Sequence, residues 1–352
     1  MAQALLFDGP PARLRLVEQP RPEPRLSEVL VRVEAATLCG SDLHTLAGKR
    51  LVETPTVLGH ETIGRVEEIG PGYPPRCLGG EILHVGDRIT WAVVVHCGAC
   101  VPCLRELPQK CIRSVKYGHE PWIDRRMWTG GLATWNLLAP GTSIARLPTG
   151  LPAGMTTPAS CATATICAAL EALGPISNRH LLITGAGMLG LTATALARRM
   201  GTGSITMVDP IPWRCEKALL MGANRAIGAF SSGAGKLEPV DAWLELSGTN
   251  TAWESGFDML AVGASVVLVG AVFPAPDTCF NLERVVRRMI TIRGVHNYAP
   301  RHLSMALGLL EKLGSAHPLG GLTGPWFTLA NHAEALKVAA DPQVLRVGFR
   351  PE

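Results

Sequence analysis

The sequence lacks long apolar runs, and no targeting segment is expected from its first residues. Its longest apolar stretch, residues 264–273, is far shorter than the about 20 residues that a transmembrane helix needs. Residues 1–8 lack the basic segment and the cleavage site of a signal peptide. We therefore expect a cytoplasmic protein that binds no membrane.

Clustered charge is also scarce. Charged residues make up 18% of the 352 residues, the formal net charge is +4, and no Lys/Arg-rich block occurs. A nucleic-acid partner is therefore not expected, because proteins that bind nucleic acids usually carry concentrated basic charge.

Hydrophobic residues make up 47% of the chain. Its length exceeds what one hydrophobic core usually organises, so we expect two domains.

The apolar pattern changes along the chain. Within residues 1–150, short strands broken by Gly and Pro, at 29–35, 62–69 and 88–95, predict an irregular β domain with partly open barrel character. From about residue 156, strands alternate with helices, which predicts a parallel, doubly wound sheet. The strands expected there are 180–184, 204–208, 242–245 and 265–270, and the helices include 188–200 and 212–221. A helix at 301–313 and a final strand at 344–349 are expected to complete the first domain.

Four of the ten cysteines are closely spaced: Cys97, Cys100, Cys103 and Cys111. Four thiolates at such spacing can surround one tetrahedral Zn²⁺. A closed shell of four sulfurs leaves no position for a substrate, so this zinc is expected to be structural. An iron–sulfur cluster and four unrelated buried cysteines are the alternatives.

A glycine-rich turn follows the predicted strand 180–184. Gly185, Gly187 and Gly190 form a GxGxxG motif, and Met188 and Leu189 open the next helix. The first glycine permits the tight turn, the second lets the backbone approach a pyrophosphate, and the third lets the helix pack against the strand. The start of the helix adds amide donors and partial positive charge.

Asp209 ends the next strand, 19 residues after Gly190. A carboxylate there accepts hydrogen bonds from the adenosine ribose hydroxyls and repels a 2′-phosphate, which favours NAD over NADP. Arg214 either flanks the adenosine or is a solvated charge on a helix.

Cys39 and His60 lie on separate predicted loops of the first domain and suit a second zinc. A catalytic zinc needs a third protein ligand and one open position. Cys161 lies just before the cofactor-binding segment, a location that would bring it beside the nicotinamide.

These motifs, in this order, resemble the zinc-containing medium-chain alcohol dehydrogenases over essentially the whole chain. The resemblance implies a GroES-like catalytic domain (1–160 and 295–352) carrying both zincs, interrupted by a Rossmann domain (161–294) that binds NAD. It assigns the catalytic zinc to Cys39, His60 and Cys161, although many relatives have Glu in place of the last. It assigns the structural zinc to Cys97, Cys100, Cys103 and Cys111. We expect two zincs per subunit, and a homodimer or a homotetramer.

Further roles are expected around the catalytic zinc. Ser41 can accept the alcohol proton and His44 can pass it towards solvent, a relay that the resemblance supports; alternatively His44 is a surface histidine. Asp42 is expected to hydrogen-bond His60 and fix its tautomer. Glu61 is expected to be an outer carboxylate, a transient zinc ligand or a member of a buried pair.

Two more residues are expected to contact the cofactor. The strand that ends near Gly270 should lie under the nicotinamide, where backbone groups can bind the carboxamide. By analogy with relatives, Arg346 reaches the pyrophosphate; a plain surface arginine is the competing interpretation.

Segments 107–111, 116–120 and 159–165 are also similar to a subgroup of zinc dehydrogenases associated with phosphonate metabolism. That similarity implies a phosphonate-bearing alcohol or aldehyde, such as 2-hydroxyethylphosphonate or phosphonoacetaldehyde. Lys116, His119, Arg125 and Arg126 would then contact the phosphonate, unless they only form a solvated loop.

The sequence therefore predicts an NAD-dependent dehydrogenase acting on a small-molecule alcohol or aldehyde. A polyol dehydrogenase of the sorbitol or threonine type shares the metal and cofactor layout. A non-catalytic NAD-binding protein is the alternative from another class. The set Cys39, His60 and Cys161 argues against it, because a protein without turnover has no need of an open zinc site.

Overall fold

The structure, a computed structural model, describes residues 1–230, 238–274 and 276–351, without the side chains of residues 125 and 126. The chain forms two compact units. The first comprises Met1–Cys161 and Ala299–Glu352, and the second comprises Ala162–Tyr298. The predicted domain boundaries lie one residue earlier at the first junction and four residues earlier at the second.

The elements are as follows in chain order. The N-terminal part of the first unit contains β1 (Ala2–Phe7), β2 (Leu14–Gln19), β3 (Val29–Thr37), α1 (Gly40–Leu46), β4 (Thr56–Val57), β5 (Glu61–Ile69), β6 (Arg88–Trp91), β7 (Val94–Val95), α2 (Val101–Leu104), β8 (Val115–Lys116), β9 (Trp135–Leu138), β10 (Ile144–Arg146) and α3 (Ala153–Thr156). The second unit contains α4 (Ala162–Leu173), β11 (His180–Thr184), α5 (Met188–Arg199), β12 (Ser204–Val208), α6 (Pro212–Leu220), β13 (Arg225–Ile227), β14 (Val240–Glu245), α7 (Asn250–Phe257), β15 (Leu260–Leu268), α8 (Leu282–Arg287) and β16 (Thr291–Gly294). The C-terminal part returns to the first unit with α9 (Pro300–Leu313), β17 (Thr323–Phe327), α10 (His332–Ala339) and β18 (Arg346–Phe349).

The first unit is built mainly of β-strands. Its main sheet runs β10-β6-β5-β3-β18-β17, β9 also pairs with β3, and a second sheet runs β2-β1-β4. The C-terminal strand β18 pairs antiparallel with β3, where Gly348 lies opposite Thr37. The expected return of the chain to its first domain is therefore present.

The predicted strand 88–95 is wrong as one element. β6 pairs with β5 and β10, whereas β7 leaves that sheet and pairs with β8, Val94 opposite Lys116. The chain changes partner at residues 92–93, and no single strand can serve both sheets. This switch brings Lys116 into a short sheet of its own.

The second unit is the predicted doubly wound fold. Its described strands form a parallel sheet of order β13-β12-β11-β14-β15-β16. The order reverses between β11 and β14, and ligands bind such sheets at the carboxyl ends of the strands beside that reversal. The core contains Trp243, whose ring stacks on that of Trp253 at 5.4 Å.

The predicted strand 265–270 is shifted in the structure. β15 starts earlier and ends at Leu268. The amides of Val269 and Gly270 both donate to the carbonyl oxygen of Glu245, at 2.9 and 3.0 Å, and this turns the chain out of the sheet.

Of the helices in the described residues, none combines the length and apolar character required for membrane crossing.

Two glycines within helices provide a matched test of the packing. A Cβ at Gly256 in α7 would lie 2.6 Å from the buried indole of Trp243, whereas a Cβ at Gly308 in α9 would meet no atom within 4 Å beyond its own stretch of helix. We expect Gly256→Ala to destabilise the protein by about 1–3 kcal/mol through overpacking. Gly308→Ala should stabilise it by up to about 1 kcal/mol through helix propensity. Urea unfolding followed by circular dichroism measures both; equal effects would contradict the packing described for Trp243.

Candidate functional site

Three predicted metal ligands come together in the first unit. The donor atoms of Cys39, His60 and Cys161 lie within 4.8 Å of one another, and the two sulfurs are 3.9 Å apart. A tetrahedral zinc with Zn–S bonds of about 2.3 Å requires a sulfur–sulfur distance of about 3.8 Å. The described residues add no fourth donor to this group. The donor set therefore fits a zinc ion that keeps one position open.

Each ligand is held by a different local structure. Cys39 is the residue before α1, and Cys161 follows a 3₁₀ turn that ends at Ser160. His60 follows Gly59, whose φ of +93° and close approach to Leu132 exclude a side chain there. The Ser160 hydroxyl donates to the carbonyl oxygen of His60 at 3.2 Å, which ties two of these segments together.

Asp42 contacts two of the three ligands. It is buried; its Oδ2 accepts a hydrogen bond from the Cys39 amide at 2.9 Å, and its Oδ1 lies 3.3 Å from His60 Nδ1. The second contact is poorly aligned, and His60 Nδ1 makes no well-formed hydrogen bond within the described residues. Burial alone lowers the pKa of His60, but Asp42 and Cys39 raise it to about 10. Zinc binding must therefore displace a proton from this imidazole.

Glu61 and Arg346 form a buried ion pair beside Cys39. The Glu61 carboxylate accepts hydrogen bonds from Arg346 at 2.9 and 3.2 Å and from the Thr37 hydroxyl at 2.6 Å. Burial raises the pKa of Glu61, while Arg346 opposes the rise. Glu61 lies in a buried pair, while its roles as an outer carboxylate or a transient zinc ligand stay predictions. Arg346 is 8% exposed, so the surface arginine is excluded, while contact with a pyrophosphate remains a prediction.

Arg346 also affects the metal ligands. Its Nη2 lies 3.5 Å from Cys39 Sγ. The pKa of the Cys39 thiol is held well below its ordinary value, first by the hydrogen bond from Cys161 and then by the charge of Arg346. The sequence interpretation missed this role because Arg346 and Cys39 are far apart in the chain.

The residues of the predicted proton relay lie in α1. Ser41 and His44 are both partly buried. Burial, and next the charge of Lys49, lower the pKa of His44. A neutral imidazole at ordinary pH is able to accept a proton, as the relay requires.

The four clustered cysteines form a second candidate metal site. Their sulfurs lie within 4.8 Å of one another; Cys100 is 3.4 Å from Cys103 and 3.8 Å from Cys111. These distances suit four sulfurs around a single ion, whereas a cluster would interpose inorganic sulfides between them. Cys97 completes a shell with no open position, which favours a structural zinc.

Amide and guanidinium groups stabilise these thiolates. The Cys97 and Arg113 amides donate to Cys111 Sγ at 3.3 and 3.4 Å, and the Arg113 guanidinium donates to Cys97 Sγ at 3.4 Å. The Ala99 amide and then Arg113 lower the pKa of Cys97 to about 5. The sequence analysis did not predict that Arg113 stabilises these thiolates. The available signal was a basic residue two positions after the last cysteine.

The glycine motif forms a tight turn in the second unit. Gly185 has a φ of +93°, and a Cβ there would lie 2.9 Å from the amide of Ser247. A Cβ at Gly190 would overlap the carbonyl oxygen of Gly185 as α5 passes over the turn. Gly187 precedes Met188, the first residue of α5, and a Cβ built on Gly187 would meet no atom within 4 Å apart from its chain neighbours. The space beside Gly187 suits the approach of a phosphate to the start of the helix.

Asp209 directly follows β12 and is hydrogen-bonded to this turn. Its Oδ2 accepts from the Ala186 amide at 2.7 Å and its Oδ1 from the Ile211 amide at 2.9 Å. The Arg214 guanidinium lies 3.9 Å from Asp209 Oδ2 and packs over the ring of Trp213. Arg214 is thus held against Asp209 rather than extended into solvent.

A loop after β14 forms the other side of the glycine turn. The sequence analysis did not predict its role. The buried carboxylate of Glu245 accepts hydrogen bonds from the amides of Ser247 and Gly248, each through Oε1, at 2.8 and 2.9 Å. A Cβ on Gly270 would overlap the Gly248 amide, so these two backbones require glycine. A glutamate ending a strand before Ser-Gly was the available signal.

Two members of the predicted cationic group lie near the catalytic ligands. The ring of His119 is 5.3 Å from that of His60, and Lys116 lies on the same short segment. The side chains of Arg125 and Arg126 lie outside the described residues.

Comparison with known proteins agrees with this geometry. The family profile "Alcohol dehydrogenase GroES-like domain" matches residues 25–149, and "Zinc-binding dehydrogenase" matches residues 189–312. The L-threonine 3-dehydrogenase of Pyrococcus horikoshii is 31% identical, covering 85% of this chain and 83% of the relative. An alcohol dehydrogenase from Thermotoga maritima has a TM-score of 0.92 at 24% identity, covering 100% of this chain and 99% of the other. An alcohol dehydrogenase from Thermus sp. ATN1 has a TM-score of 0.84 at 26% identity, with 99% and 100% coverage.

The chain belongs to the zinc-containing medium-chain alcohol dehydrogenase family. It is therefore a zinc-dependent, NAD-linked oxidoreductase with a GroES-like domain and a Rossmann domain, as the sequence predicted. The non-catalytic alternative is set aside.

Replacement of Cys161 tests the open metal site. We expect Cys161→Ala to lower the zinc content from about two ions to about one per subunit and to abolish activity, because only two of the three donors remain. The fold should persist, since the cluster of four cysteines is separate. Elemental analysis and circular dichroism measure these outcomes, with the exposed Cys279→Ala as the control. Retention of two zincs would rule out Cys161 as a ligand.

Proposed function

We propose that the chain catalyses the reversible, NAD-linked oxidation of a small alcohol at the zinc held by Cys39, His60 and Cys161. The observation that carries the proposal is the set of three donors with one coordination position left open. When bound, zinc supplies a Lewis acid that lowers the pKa of the alcohol, and NAD accepts the hydride. Protein side chains orient the metal ligands and transfer the proton.

Asp42 orients the site in this proposal. It holds the Cys39 amide and lies beside His60 Nδ1, which leaves Nε2 as the donor nitrogen. The Ser41 hydroxyl accepts the alcohol proton as it releases its own proton towards His44, and His44 passes a proton to solvent. The lowered pKa of His44 supports this role, because a permanently protonated imidazole accepts no proton.

The Glu61–Arg346 pair supports the thiolate of Cys39. The guanidinium near Cys39 Sγ favours the ionised form that a zinc ligand needs, and Glu61 fixes that guanidinium. We therefore propose Arg346 primarily as a positioning residue, with pyrophosphate contact as a further prediction.

NAD is the proposed cofactor rather than NADP. The Asp209 carboxylate, held at the end of β12 by two amides, would repel a 2′-phosphate on the adenosine ribose. The turn at Gly185 to Gly190 and the Gly248–Gly270 contact are proposed to bind pyrophosphate and nicotinamide, respectively.

Two substrate classes remain candidates. The short segments similar to the phosphonate-associated subgroup favour a phosphonate-bearing alcohol such as 2-hydroxyethylphosphonate, or the corresponding aldehyde. The threonine 3-dehydrogenase relatives favour a hydroxy amino acid or a polyol. Assembly as a homodimer or a homotetramer is also proposed from the family resemblance.

A panel of alcohols tests the proposed function. We expect NADH formation with small alcohols, dependent on zinc and lost after treatment with a chelator. The panel contains 2-hydroxyethylphosphonate, L-threonine, sorbitol and 1-propanol, and the reverse reaction is tested with phosphonoacetaldehyde. Equal kcat/KM values across the panel would overturn the phosphonate assignment but not the dehydrogenase, whereas no NADH with any alcohol would overturn both.

Replacement of Asp209 tests the cofactor preference. We expect Asp209→Asn to lower the ratio of kcat/KM for NAD to that for NADP by about 10–100-fold, because a charged hydrogen bond and a repulsion are both lost. The matched control is Asp258→Asn in the same unit, where the carboxylate is 63% exposed. An unchanged ratio in a correctly folded Asp209 variant would contradict the role of this carboxylate.

A further inference from the structure

Lys116 lies on a segment that packs against the loop of a metal ligand. The next turn brings Gly118 so close to that loop that a Cβ would lie 2.7 Å from the Gly59 carbonyl oxygen and 3.2 Å from His60 Cβ. The Gly118 amide donates to the Thr129 carbonyl oxygen at 3.0 Å, which fixes the turn from the other side. The segment is thus part of the wall around the open zinc site.

Several positive charges converge on this wall. Burial lowers the pKa of Lys116 to about 8, and the charge of Arg50 lowers it next, while Cys161 and Asp42 act in the opposite direction. Burial likewise lowers the pKa of His119, followed by the charges of His60, Lys116 and Arg50. Lys116 and Arg50 are therefore within electrostatic reach of each other and of the catalytic ligands.

Among the described residues these two cations have no counterion. In the parts of the chain that the structure describes, no carboxylate lies within ion-pair distance of the Lys116 ammonium or of the Arg50 guanidinium. The carboxylate nearest in sequence, Glu120, instead accepts a hydrogen bond from the Lys116 backbone amide at 2.7 Å. A partly buried cation without a partner is unfavourable, and such groups are typical of sites that bind an anion.

The charge of the zinc site itself does not explain them. Two thiolates neutralise a zinc ion, Arg346 neutralises Glu61, and Asp42 offsets only one of the two cations. One positive charge therefore remains in excess beside the loop of His60. A neutral alcohol or a polyol can only accept ordinary hydrogen bonds from these cations, whereas an acidic group also gains charge attraction.

We propose that Lys116, together with Arg50, forms the subsite that binds an acidic group of the substrate. This inference rests on the proposed function, because it assigns a part of the same substrate site. The ligand class is a small hydroxy compound that carries a phosphonate, phosphate or carboxylate. Lys116 determines specificity and takes no part in hydride or proton transfer.

The test compares acidic and neutral alcohols in the zinc-loaded enzyme. We expect Lys116→Met to raise KM for 2-hydroxyethylphosphonate or 3-hydroxypropanoate by about 10–100-fold, the effect of one charged hydrogen bond. The kcat/KM for 1-propanol should stay within about threefold. Comparison of the phosphonate with the carboxylate identifies which acidic group the site prefers. Lys312→Met, an exposed lysine of the same unit, is the matched control and should leave all values unchanged.

Two further measurements keep the test decisive. Lys116→Arg retains the charge and should retain most of the preference for acidic substrates. Methylphosphonate should quench tryptophan fluorescence of the parent enzyme and of Lys116→Arg, but not of Lys116→Met. Equal losses for acidic and neutral alcohols in a folded variant with two zincs would overturn the subsite and leave the dehydrogenase standing. Absence of activity with every alcohol in the parent enzyme would instead overturn the proposed function.

Discussion

Asp42 is the buried charge on which the catalytic ligands depend, since one of its oxygens holds the Cys39 amide and the other lies beside His60. A carboxylate with 1% exposure is costly unless it is compensated, and the compensation here is the imidazole and the backbone amide. The same contact raises the pKa of His60, so that the site keeps a proton that zinc must displace. Ligand geometry and metal affinity are therefore linked through one side chain.

The Glu61–Arg346 pair joins the two ends of the first unit around this site. Arg346 begins β18, which pairs with β3, and β3 leads directly to the loop of Cys39. Removal of one member of a buried pair typically costs about 3–5 kcal/mol, because the other charge is left without compensation. The return of the C-terminal strand thus does more than complete a sheet: it delivers the cation that stabilises a thiolate ligand.

The second unit uses close backbone contacts instead of charge pairs. Gly185, Gly190, Gly248 and Gly270 all lie where an added Cβ would meet backbone atoms. Asp209 and Glu245 hold the surrounding amides from the ends of two different strands. These contacts create space beside Gly187, at the start of α5, where a phosphate can approach. The shape of this glycine turn is thus set by positions where neighbouring backbone leaves no room for a side chain.

Much of the architecture could be predicted because its signals are local. Strands 180–184 and 204–208 match β11 and β12, and the doubly wound order follows from alternating elements. The four-cysteine cluster is equally local, since all four donors belong to one short loop. The predicted strand 88–95 failed because a local pattern does not reveal that β7 changes its partner sheet.

The sequence by itself determined the four-cysteine set and the glycine turn, because spacing within one segment restricts the geometry of that segment. The catalytic donors Cys39, His60 and Cys161, and the family, followed from the resemblance. Only the tertiary structure decided that Arg346 lies buried against Glu61, 285 residues away, and that the segment of Lys116 packs on the His60 loop, where the described residues provide no counterion. Such contacts depend on how distant strands pair and on which charges burial leaves uncompensated. Neither property is encoded in the spacing of a motif.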